Sequence, residues 1–106
     1  MWFVFPQIAG LGMSAMSQHY AIRSRDEASA YLGHDVLGSR LAEAADAVLG
    51  HAGRLGAEEI FGGIDAVKFR SSMTLFDAVA PDDRYRQALD AFYGGEADPA
   101  TIKLLG

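Results

Sequence analysis

Three side chains able to donate hydrogen bonds share one face of a predicted helix over residues 64–79: Lys68, Ser71 and Ser72. At 3.6 residues per turn they fall inside the arc that Leu75 and Val79 also occupy, so they interrupt an apolar face. An amine and two hydroxyls placed together could bind the oxygens of a phosphate or a sugar. This face is therefore predicted to border a ligand pocket.

The same three residues also have a structural explanation. The Lys68 side chain can extend along the helix to reach water or pair with a buried acid, and serine hydroxyls can bond to helix carbonyls. An unpaired lysine charge is costly to bury, so the sequence requires one explanation or the other. The opposite side of the helix, with Arg70, Thr74 and Asp77, is predicted to face solvent.

Five more candidate site residues lie in the first part of the chain. Asp26 and Glu27 would supply the carboxylate that acid–base catalysis needs, although charges in the first turn of a helix also favour the helix dipole. Trp2 and Tyr20 could stack on a base or simply belong to the core. Gln7 is a polar group among apolar neighbours and needs partners, as a structural clasp or as a ligand contact.

Composition excludes several other functions. The chain has no cysteine, and its three histidines do not have the spacing of metal ligands, so we expect no metal site and no cofactor. The net charge is −5 and no basic run occurs, which argues against nucleic acid and against an anionic membrane surface. The apolar opening run MWFVF lacks a basic flank and is far shorter than the ~20 residues of a membrane span. We therefore expect a cytoplasmic protein.

Short helices must position these residues. Ser24 with Glu27 forms a capping box that predicts a helix ending at Gly33. An apolar stripe predicts a longer helix from about Asp35 to His51. Further helical stretches are predicted over 57–61 (one turn), over 64–79, from Asp82 or Asp83 to Gly94, and from Asp98-Pro99 to Leu105. We expect a mainly α fold, a single compact domain over residues 1–106 with about five short helices joined by Gly/Pro-rich turns.

Four stretches of the sequence resemble one bacterial family. They are MWFVFPQIAGLGMSAMSQHYAI, EASAYLGHDVLGSRL, IFGGIDAVKFRSSMTLF and FYGGEADPATIKLL, and they occur in the order and spacing of the family called domain of unknown function 1810. Its members are often labelled calpastatin, but nothing in this chain indicates a calpain inhibitor. They usually carry a further segment before the opening motif, so the resemblance implies that this chain lacks an N-terminal segment usual in the family.

A remoter similarity links the chain to helical proteins of the NADAR class. That class is associated with N-glycosidic chemistry on ADP-ribose and riboflavin intermediates. The polar positions that correspond are Tyr20, Glu27, Arg40, Lys68 and Ser72. The catalytic carboxylate of the class finds its nearest equivalents in Asp26 and Glu27.

Two hypotheses of function follow. In the first, the protein binds a nucleotide or an ADP-ribose-like ligand between the opening motif and the helix over 64–79, with N-glycosidase-like chemistry. In the second, it is a non-enzymatic helical interaction module. An exposed apolar surface at residues 1–5 would then also favour self-association.

Overall fold

A computed structural model describes residues 5–8, 21–81 and 83–105, and roughly two thirds of these residues are helical. Its helices, in chain order, are α1 (Arg25–Gly33), α2 (Leu37–Leu49), α3 (Ala57–Phe61), α4 (Gly63–Val79), α5 (Arg84–Tyr93) and α6 (Pro99–Leu105). The predicted mainly α class is confirmed. The described residues form six helices rather than the expected five, because α3, predicted as a single turn, is a helix of its own. The one β contact within the described residues is a parallel bridge between Ile8 and Ile22.

Local capping groups decide where the helices begin and end. The Ser24 hydroxyl accepts a hydrogen bond from the Glu27 N–H at 3.1 Å, which starts α1 where the capping box predicted. The second helix begins at Leu37 rather than near Asp35. The reason is that Nδ1 of His34 accepts from the Leu37 N–H at 3.1 Å and thereby caps the later turn. Gly94 ends α5 in the left-handed region, with φ of 62°, which glycine adopts without strain.

The central element is α4, which packs against α1, α3, α5 and α6. Its Phe69 and Phe76 are fully buried. The ring of Phe5 meets Phe69 edge-on at 4.9 Å, and the ring of Tyr31 on α1 lies 5.6 Å from Phe76. Such aromatic pairs add to the free energy gained by burying apolar area. They fix the opening segment and α1 on the helix that carries the predicted site.

The first two helices approach each other closely at Gly38. A Cβ atom added there would overlap the carbonyl oxygen of Leu32, so only glycine allows this crossing. Gly33, which ends α1, has open space around its Cα. Across the described part of the chain, every helix is too short or too polar to span a bilayer.

Candidate functional site

The structure places the opening segment against the helix that bears Lys68 and Ser72. Phe5 packs on Phe69 of that helix, and Gln7 follows two residues later. The Gln7 carbonyl accepts a hydrogen bond from the backbone of the segment before α1, at 2.8 Å. Gln7 is 3% exposed, Ser72 is fully buried and Lys68 is half-buried.

Two buried polar atoms in this region make no hydrogen bond to a described residue. Within the described part of the chain, Nε2 of Gln7 and Oγ of Ser72 have no hydrogen-bond partner. Buried donors and acceptors are nearly always paired, because an unmade hydrogen bond in the interior costs the full desolvation of the group. A further polar group that reached these two atoms would supply the hydrogen bonds that they lack among the described residues.

Ser71, the neighbour of Ser72, is engaged in a structural cluster. Its hydroxyl lies 3.1 Å from Oδ2 of Asp98, to which it donates, and 3.2 Å from the carbonyl oxygen of Val67. The same Asp98 oxygen caps α6 by accepting from the Thr101 N–H at 3.1 Å, and it also accepts from the Thr101 hydroxyl. Ser71 thus ties α4 to the start of α6.

The polar side of α4 is partly covered, and the prediction that it faces solvent is wrong for Thr74 and Asp77, while Arg70 stays partly exposed. Thr74 is 3% exposed, and its Oγ1 accepts from the Asp98 N–H at 2.8 Å. Asp77 is mostly buried and lies 3.7 Å from the guanidinium of Arg86 on α5. The helical pattern of α4 shows which side is polar, but α5 and α6 bring polar partners to that side.

Arg70 holds the loop between α5 and α6. Its guanidinium donates to the carbonyl oxygens of Glu96 and Ala97, both at 2.9 Å, and lies 5.8 Å from the ring centre of Tyr93. The Tyr93 hydroxyl donates to the carbonyl oxygen of Ala66. Burial raises the pKa of Tyr93 to about 12, so it stays neutral at physiological pH. These contacts could not be predicted from the sequence, because they join residues 23 to 27 positions apart.

The predicted carboxylates lie on the surface. Asp26 and Glu27 are exposed in the first turn of α1. The neighbouring Arg25 reaches the carbonyl oxygen of Ala78 at 3.5 Å, at the C-terminal end of α4. Lys68 lies ten residues earlier on that helix, about 15 Å along its axis. Among the described residues, no ion pair joins either carboxylate to Lys68.

Three other predicted site residues remain: Trp2, Tyr20 and Arg40. Trp2 and Tyr20 lie outside the described residues. Arg40 is exposed on α2. Phe5, part of the opening run expected to form an association surface, is 4% exposed and packs against Phe61 as well as the central helix. Over the described ranges, no three His, Cys, Asp or Glu side chains come together as metal ligands would.

A groove of about 460 Å³ between α3, α4 and α5 is a second place to consider. Arg70 and Tyr93 line it, but both already bond within the fold. The carboxylate of Glu59 in its wall accepts from the Gly56 N–H at 3.1 Å. Because its polar groups are committed to the fold, this groove is a weaker candidate than the buried atoms of Gln7 and Ser72.

The model of the family described as "Protein of unknown function (DUF1810)" matches residues 1–105. The chain belongs to this family. The DUF1810 chain is also similar to a solved structure, the conserved hypothetical protein Rv1873 from Mycobacterium tuberculosis. The two are 45% identical with a TM-score of 0.92, over 98% of this chain and 74% of the other. No curated protein matches.

Two sequence motifs of this DUF1810 chain are in direct contact in the fold. The motif IFGGIDAVKFRSSMTLF supplies Arg70, Ser71 and Thr74, and FYGGEADPATIKLL supplies the loop and cap that they hold, centred on Asp98. Much of the polar content of both motifs is thus structural. The hydroxyl of Ser72 is not part of that cluster.

Proposed function

We propose that this chain binds a small anionic ligand of the nucleotide-sugar class, such as ADP-ribose, between residues 5–8 and the Lys68–Ser72 stretch of α4. The observation that carries the proposal is the pair of buried polar atoms, Gln7 Nε2 and Ser72 Oγ, that find no partner among the described residues. A ligand with several hydroxyls would satisfy both.

Lys68 supplies the charge that such a ligand requires. It lies one turn before Ser72, so both side chains project from the same face of α4. An ammonium group beside a hydroxyl suits a ligand in which a phosphate adjoins a sugar. In this arrangement Lys68 holds the phosphate, while Ser72 and Gln7 bind ribose hydroxyls.

The second part of the proposal concerns the reaction. Hydrolysis of an N-glycosidic bond requires a carboxylate that takes a proton from the attacking water, while the electron pair of the broken C–N bond leaves with the base. Asp26 and Glu27 are the candidates, and they stand on a helix that packs against α4. Because both are exposed and without contact to Lys68, binding has stronger support than catalysis.

Titration with ADP-ribose, followed by the backbone amide shifts of the protein, tests binding. We expect shifts at Gln7 and at residues 68–72, and an affinity about tenfold lower for Ser72→Ala, since one hydrogen bond is lost. Ser71→Ala is the matched control, because its hydroxyl is used inside the fold. Absence of shifts at millimolar ligand would overturn the proposal.

Release of nicotinamide from NAD⁺, which carries an N-glycosidic bond on an ADP-ribose unit, tests the reaction separately. We expect release by the wild-type chain and its loss in Asp26→Asn or Glu27→Gln. Binding of ADP-ribose without release of nicotinamide would leave a ligand-binding domain and refute the glycosidase.

A further inference from the structure

The outer side of the last helix carries apolar and basic side chains together. We call this the α6 face and define it by Arg23, Arg25, Ile102, Lys103 and Leu104. Ile102 is 51% exposed and Leu104 is 44% exposed, so both offer apolar surface beside basic side chains. At 100° per residue around the helix axis, Ile102 and Leu104 lie on either side of Lys103.

The basic residues of the α6 face have no ion-pair partner among the described residues. Arg23, Arg25 and Lys103 are exposed, and none forms an ion pair with a described residue. Arg84 and Arg86, in contrast, both lie against aspartates. The chain as a whole has a net charge of −5, whereas the α6 face carries three cations, with Asp26 as the acidic residue beside Arg23 and Arg25.

A depression of about 350 Å³ lies between the start of α1 and the end of α6. Arg23, Arg25 and Leu104 line it, with Asp26 as its one acidic lining residue within the described part of the chain. An apolar side chain can therefore rest against Leu104 while neighbouring carboxylates meet the arginines.

We propose that the α6 face binds an acidic amphipathic segment of a partner protein. Charge complementarity selects acidic residues opposite Arg23, Arg25 and Lys103, and the exposed Leu104 in the depression selects a large apolar side chain. Ile102 lies on the other flank of Lys103 and adds apolar surface there. A nucleic-acid backbone would satisfy the cations but leave the apolar side chains uncovered. A seven-residue helix with two exposed apolar residues offers little area to insert into a bilayer. This interaction is separate from the ligand site proposed at Ser72.

Selection from a phage-displayed library of random peptides tests the proposal without assuming a sequence. We expect the selected peptides to combine Asp or Glu with a large apolar residue, and to bind more tightly at low salt. The double variant Arg23→Glu/Lys103→Glu should weaken binding of a synthetic selected peptide about tenfold, from the loss of two exposed ion pairs. Arg40→Glu is the matched control, since Arg40 is an exposed arginine on a different helix.

Leu104→Ser keeps the charges and tests the apolar half of the proposal. We expect it to weaken peptide binding while circular dichroism shows an unchanged fold. Selected peptides without an acidic excess, or equal affinity in the double variant and in Arg40→Glu, would overturn the proposal. Flotation with phosphatidylglycerol vesicles at physiological salt, lost in the double variant, would assign the face to a membrane and overturn it as well.

Discussion

Two adjacent serines on α4 provide a sharp test of the site geometry. Ser71 and Ser72 are both buried in one helix, but the Ser71 hydroxyl bonds to Asp98, while that of Ser72 finds no described partner. Replacing either with alanine removes a single oxygen atom. The two variants should therefore shift the stability of the protein in opposite directions.

The expected sizes follow from the contacts. Alanine is a better helix former than serine by about 0.5 kcal/mol, which favours both variants. Ser71→Ala also loses a hydrogen bond to a carboxylate, for which about 1.5–2 kcal/mol is reasonable because Asp98 keeps its bonds to Thr101. The net loss is about 1–1.5 kcal/mol. Ser72→Ala removes an unpaired buried hydroxyl and should stabilise the unliganded protein by about 0.5–1 kcal/mol.

Urea unfolding followed by circular dichroism measures this difference. About 2 kcal/mol between the variants corresponds to roughly 1 M in the urea midpoint, or about 10 °C in Tm for a chain of this length. Equal destabilisation by Ser71→Ala and Ser72→Ala would refute the reasoning. It would show that the Ser72 hydroxyl is hydrogen-bonded within the unliganded protein, and the main support for the proposed ligand site would be lost.

Two further predictions concern close contacts in the fold. Gly38→Ala should destabilise the protein by about 2–4 kcal/mol, because the new methyl group would overlap the Leu32 carbonyl, while Gly33→Ala should be nearly neutral; equal thermal melts would contradict this packing. Tyr93 has its pKa raised from 10.0 to about 12, so its contribution to stability is complete below pH 10 and is lost as the pH rises toward 12. Tyr93→Phe should therefore be less stable than wild type near neutral pH, because it lacks the hydrogen bond to Ala66. Between neutral pH and about pH 11 the variant should lose less stability than wild type. Urea midpoints of the two proteins that change in parallel over that range would contradict the assignment.

The helix boundaries could be predicted because their causes are local. Ser24 caps α1 and Asp98 with Pro99 starts α6 through groups within three residues, and such groups are visible in the sequence. The displaced start of α2 has a local cause too, since His34 caps it.

The environment of α4 could not be predicted in the same way. On a helical wheel Ser71 and Ser72 both fall on the apolar face, and only the placement of Asp98 distinguishes them. Thr74 and Arg70 were expected in solvent, because a wheel does not show that a loop 24–27 residues later covers them. Pairing between distant residues depends on tertiary packing, and periodicity in one segment carries no information about it.

The fastening of α6 has a consequence for partial unfolding. Thr101 is the one buried residue of this helix and Leu105 packs partly against the core, so the bonds that Ser71 and Thr74 make to Asp98 provide much of its attachment. A segment attached in this way can detach while the aromatic core around Phe69 stays intact. Amide hydrogens of α6 should then exchange with solvent through a local opening of lower free energy than global unfolding. In that sense α6 is a separate cooperative unit, released when the bonds from Ser71 and Thr74 to Asp98 break together.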